Sequence, residues 1–171
     1  VTPARAGLDR ETLALIGARL ERARRPLLVL GGSGWDALSL DTLSRWIEVH
    51  NLPTLLSFRR KDLISNDHPC YAGDLGLGPN PKLLARVREA DLIIALGARL
   101  GETPTQGYGL FSVADTAEKL VHIHAGPEEL GRVWPAAIAA VADTASAALS
   151  LATLDPTHSK DWQAGREQAH A

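Results

Sequence analysis

The stretch Ala90-Asp91-Leu92-Ile93-Ile94-Ala95-Leu96-Gly97-Ala98-Arg99 constrains the fold more than any other part of this chain. A run that is apolar on successive residues has both faces covered, which suits a parallel strand inside an α/β sheet and not a half-exposed antiparallel one. At its carboxyl end Gly97 lets another group approach the backbone, and Arg99 offers a planar charged fork to an anion. Open α/β sheets bind ligands at that edge.

Similar signals recur along the chain. Asp9 is placed to cap a helix running to about Arg24, with Leu13, Ile16, Leu20 and Ala23 on one stripe. Leu27-Leu28-Val29-Leu30 reads as a short buried strand, and Gly31, Gly32, Ser33 and Gly34 turn the chain into a second helix bearing Leu43, Trp46, Ile47 and His50 on one face. Residues 53–58 form the next strand, followed by Arg59-Arg60-Lys61. A strand beginning near Cys70 enters a glycine loop at Gly73, Gly76 and Gly78, and Asn80-Pro81 starts a helix through Glu89. Residues 101–109 read as a long loop, 120–124 as a strand, and Gly126-Pro127 as the start of a short helix. Residues 137–141 are a small-residue strand, after which Asp143 caps a helix to about Ala152. Strands alternating with helices predict a three-layer α/β/α domain, Rossmann-like, with a six-stranded parallel sheet over residues 1–152. After Asp155-Pro156 the pattern weakens into a polar tail with Trp162, and residues 153–171 read as a linker, or as a helix that packs on a neighbouring domain.

Composition excludes several partners. At 171 residues with a net charge of −2, the chain has no basic footprint for nucleic acid and no apolar run long enough to cross a membrane, so it is expected in the cytoplasm. Cys70 is the only cysteine, which rules out an internal disulfide and a thiolate zinc cluster. The absence of methionine and the opening Val1 suggest a piece of a longer polypeptide.

Two readings stay open for the glycines at 31, 32 and 34. They offer backbone N–H groups at a helix start to an anion, or they simply make a tight turn. A full Gly-x-Gly-x-x-Gly is not met, and strand two ends in Arg59 where a ribose-binding acid would stand. Arg99 is either a pyrophosphate ligand or a structural ion-pair partner. His122 and His124 share a strand face but lack a third metal ligand, and Glu128 and Glu129 complement a helix dipole.

Arg25-Pro26-Leu27 with the glycines to Gly34, the loop from Tyr71 to Gly78, the strand ending at Arg99, Val121-His122-Ile123-His124 and Glu129-Leu130-Gly131-Arg132 form an ordered set. That set resembles the central domain of thiamine-diphosphate-dependent enzymes of the acetolactate synthase type, over about residues 8–152. The resemblance implies a three-domain parent with thiamine diphosphate and Mg²⁺ held between its first and third domains across a dimer interface. It also implies a sheet ordered 3-2-1-4-5-6. The partners would be the missing N- and C-terminal domains, in a homodimer or tetramer. The family's Gly-Asp-Gly cofactor signature is absent, since Leu75 follows Gly73-Asp74.

Some members hold FAD or ADP in this domain, and the matching positions here are Gly31, Gly32, Ser33, Gly34, Arg59, Gly76, Gly97, Arg99, His124 and Asp143. Two departures weigh against flavin. His124 and Gly126 replace acidic residues after strand five, and Gly101-Glu102-Thr103 stands where Asp-Asp-Arg often follows strand four. The resemblance therefore implies a non-catalytic scaffold in an enzyme acting on 2-oxo acids. A working FAD or ADP module, or a stand-alone nicotinamide dehydrogenase domain, are the alternatives.

Overall fold

The computed structural model describes residues 5–156 and Trp162. Asp9 accepts a hydrogen bond from the Thr12 backbone N–H and opens α1, Arg10–Arg22. Then follow β1 (Pro26–Leu30), α2 (Ala37–Val49), β2 (Thr54–Ser57), β3 (Tyr71–Leu75), α3 (Pro81–Glu89) and β4 (Leu92–Leu96). The chain continues through α4 (Val113–Lys119), β5 (Leu120–His124), a 3₁₀ turn at Pro127–Glu129, β6 (Ile138–Val141) and α5 (Thr144–Leu151). All six strands are parallel and lie in the order β3-β2-β1-β4-β5-β6. This is the expected sheet and the expected order.

Strand alternation divides the core into two layers. Leu28, Leu30, Leu56, Ile94, Leu96, Val121 and Ile123 face one side, where they meet Ile16 and Leu20 of α1, Leu43, Trp46 and Ile47 of α2 and Leu151 of α5. Leu27, Val29, Leu55, Ile93 and Ala95 face the other, against Leu83 and Val87 of α3 and against Leu100, Phe111 and Trp134. The central strands β1 and β4 are buried at every residue, as the unbroken apolar runs required. Asp91 ties the entries of these two strands together by accepting from the backbone N–H groups of Arg24 and Arg25 at 2.8 and 2.9 Å.

Three features depart from the sequence reading. The helix α4 was not expected. It is seven residues long, and Ser112 and Asp115 close it with a reciprocal capping box. Second, α2 does not start directly after Gly34; residues 31–36 form a loop, and Asp36 is the cap. Third, Trp162 does not wait for a neighbouring domain. It is buried in this domain's own core, and its indole N–H donates to the Ala23 carbonyl at 2.8 Å. Of the 153–171 linker, only residues 153–156 and Trp162 lie within the described part.

Candidate functional site

The carboxyl ends of β1 and β4 sit at the sheet's switch point, where the chain direction of successive crossovers reverses. The two loops leaving them stack back to back. Gly32 has φ +65°, and a Cβ there would run into the Gly97 carbonyl oxygen; Gly97 has φ +69°, and its own Cβ would lie 2.7 Å from the Gly31 oxygen. Gly31 is shut in equally tightly, with Ala98 and Ser57 each 2.9 Å from a would-be side chain. These glycines are therefore fixed by backbone-to-backbone approach.

Above this contact opens a cleft of about 630 Å³, reached by Gly32, Ser33, Gly97, Arg99 and His124, with Thr144 from the first turn of α5. Among the described residues, no group accepts from the backbone N–H of Gly32, Ser33 or Gly34. Gly32 and Ser33 of this loop line the cleft.

Its arginines are already engaged within the chain. Arg99 lies 3.5 Å from Glu129, whose side chain is only 11% exposed and also pairs with Arg132 at 3.2 Å. Glu129, a dipole complement on the sequence alone, lies instead between two guanidinium groups, in a pocket beside the cleft that it shares with His122 and Trp134. The start of α2 is satisfied by Asp36, which accepts from the Ser39 N–H at 2.8 Å and pairs with Arg5 at 2.9 Å. These bonds hold the Asp36 carboxyl below its usual range, first through the Ser39 N–H and then through Arg5.

Of the other expected residues, Arg59, Gly76 and Asp143 lie outside the cleft lining and His124 within it. Arg59, at φ +64°, places its guanidinium over the Phe58 ring at 5.0 Å, and it is Arg60 that reaches the cleft. Arg60 is itself held by Asp62 through two hydrogen bonds of 3.0 and 2.9 Å. Gly76 offers its carbonyl to the Gln106 side-chain amide at 3.2 Å. Asp143 caps α5 by accepting from the Ser146 N–H and hydroxyl. His124 turns its Nδ1 back to accept from the Gly126 N–H at 2.9 Å.

His122 is buried and its Nε2 meets the Ala98 carbonyl at 2.9 Å, which assigns the ring proton to Nε2 and leaves Nδ1 sealed without a partner. Burial pushes its pKa down, so the ring is neutral near pH 7. Its ring centre is 6.3 Å from that of His124. Among the described residues, no three His, Cys, Asp or Glu side chains converge as a metal site. Leu75 follows Gly73-Asp74, so the Gly-Asp-Gly signature of the resembling family is not present at this loop.

The family described as "Thiamine pyrophosphate enzyme, central domain" matches residues 13–151. The acetolactate synthase isozyme 2 large subunit of Escherichia coli (strain K12) is 27% identical over 144 residues, which cover 84% of this chain and 25% of that protein. The acetolactate synthase large subunit of Parasynechococcus marenigrum (strain WH8102) is 30% identical over 72% of this chain and 20% of its own length. A sulfoacetaldehyde acetyltransferase of Roseovarius nubinhibens is 28% identical over 77% of the chain and 22% of its own length. The chain spans about a quarter or less of these relatives. The order of the sheet, the stacked glycine loops at its switch point and a family match running from α1 to α5 make one statement: this chain belongs to the central-domain family of thiamine pyrophosphate enzymes.

Proposed function

We propose that the chain is the non-catalytic middle domain of a thiamine-diphosphate-dependent, acetolactate-synthase-like enzyme acting on 2-oxo acids, with the duty of holding flanking domains in register. The observation that carries this reading is Glu129. Arg99, which borders the cleft, already meets a largely buried carboxylate of the chain itself. Asp36 caps the start of α2, and the exposed Asp62 pairs with Arg60. A cleft whose cations are neutralised internally favours structural use over nucleotide binding. Thiamine diphosphate and Mg²⁺ then belong to the flanking domains of a homodimer or tetramer, in the cytoplasm. There the cofactor's carbanion supplies the carbon–carbon chemistry.

The test is made on the whole polypeptide that contains this domain. Turnover of a 2-oxo acid is expected with added thiamine diphosphate and Mg²⁺, with no flavin or adenine nucleotide retained and none required. Stoichiometric flavin or nucleotide in the purified protein, or turnover that depends on adding either, overturns the reading.

A further inference from the structure

A second concavity lies away from the switch point, along the outer side of the edge strand β3 and the helix α3, with a volume of about 900 Å³. That size falls in the range of small-molecule sites, roughly 300 to 1,000 Å³. One wall is apolar, from Tyr71 and Leu83, while Lys61, Lys82 and Arg86 bring positive charge. Lys61 is spoken for by Asp74 at 3.0 Å. The acidic residue at the far end, Glu89, pairs outward with Arg25 at 3.7 Å.

Arg86 is different. Among the described residues its side chain makes no hydrogen bond and no ion pair, and its Nη1 is shut off from solvent with no acceptor. Burial lowers its pKa with no carboxylate acting against the shift. A half-buried guanidinium without a counter-charge is costly to keep, because its donors lose water and gain nothing. Lys82 stands four residues earlier on the same helix, and like charges at that spacing destabilise a helix unless an anion lies between them. Every other arginine side chain whose contact is described above meets a carboxylate or an aromatic ring.

We propose that the groove between β3 and α3 is a binding site for an organic anion, one with an apolar body against Tyr71 and Leu83 and a carboxylate or phosphate head on Arg86 and Lys82. The head group would take the guanidinium fork of Arg86, which lines the groove, in two parallel hydrogen bonds. Being remote from Arg99, such a site acts on the domain independently of the switch-point cleft.

The experiment titrates this chain with phenyl phosphate and, separately, with benzoate, followed by amide NMR shifts and by calorimetry. Saturable binding below about 10 mM by either probe is expected, with shifts centred on Tyr71, Lys82 and Arg86, and the tighter probe identifies the head group. Arg86→Met and, independently, Lys82→Ala are expected to weaken it, the first by about tenfold or more, with far-UV circular dichroism unchanged; Arg99→Ala leaves it intact. Absence of saturation with both probes, equal affinity in a folded Arg86→Met variant, or shifts centred on Gly32 and Arg99 instead would each overturn the proposal.

Discussion

The most discriminating perturbation concerns Gly32, because its two reasons for being glycine can be separated. Replacing it with alanine puts a left-handed φ of +65° on a residue with a side chain, and it also drives the new Cβ into the Gly97 carbonyl, whose carbon lies 2.9 Å away. The conformational term alone is about 1 to 2 kcal/mol. The collision is with backbone on a central strand end and cannot be relieved by a rotamer change, so β1 and β4 must separate there. The sum is about 3 to 4 kcal/mol, near the upper end of single-residue effects. Gly78 has the same φ of +65° with nothing within 4 Å of a Cβ, and Gly101 has neither feature. Alanine at Gly78 should therefore cost only the conformational part, and at Gly101 within about 0.5 kcal/mol of nothing. By urea and thermal unfolding, Gly32→Ala is expected to lower Tm by about 10 °C, and Gly78→Ala by about 3 °C, at about 2 to 4 °C per kcal/mol for a domain of this size. Equal losses for the Gly32 and Gly78 variants would show that the stacked loops are loose, and the argument for a backbone-fixed cleft would fail.

Trp162→Ala should cost about 3 to 5 kcal/mol in chemical unfolding, the range for a fully buried aromatic ring; a loss under 1 kcal/mol would mean the ring does not occupy the core. Asp91→Ala removes the two charged bonds that join the entries of β1 and β4, and about 1 to 2 kcal/mol should be lost, read by the same assay. Burial lowers the His122 pKa, so the unfolded state takes up a proton first as the solution is acidified. Stability from this residue is complete above about pH 6.5 and falls as pH drops through that value toward the depressed folded pKa. A pH series of unfolding free energies should show that decline, reduced in His122→Asn; a slope unchanged by the substitution would remove His122 as its source.

Much of the framework was legible because its signals are local and redundant. Asp9, Asn80-Pro81 and Asp143 each cap the helix they were expected to start, and the strands announce themselves through unbroken apolar runs. Helix α4 escaped because seven residues with a single buried position, Thr116, carry no periodic stripe. The cleft was legible in its glycines and in Arg99, since backbone approach demands a residue type at a place. Its electrostatics were not: the pairing of Glu129 with Arg99 and Arg132 depends on how the 3₁₀ turn after β5 folds back, and no spacing rule encodes it. Arg60 replaces Arg59 at the cleft for a related reason, because the positive φ at Arg59 turns the chain before the next side chain. Trp162 sits 11 residues beyond α5, too far for pattern to say which surface it meets.

The clasp of Glu129 has a further meaning when regarded as competition. A carboxylate tethered one short turn from β5 faces Arg99 at an effective concentration of millimolar or higher, on the order expected for short tethers. A free anion at ordinary cellular levels must outbid a rival that cannot diffuse away. A ligand that succeeds at Arg99 leaves Glu129 with Arg132 alone, so occupancy would be felt at the neighbouring surface as a loosening of the Pro127–Glu129 turn. Affinity and local rigidity at this corner of the sheet are therefore set by the same carboxylate, and changing that one residue would alter both together.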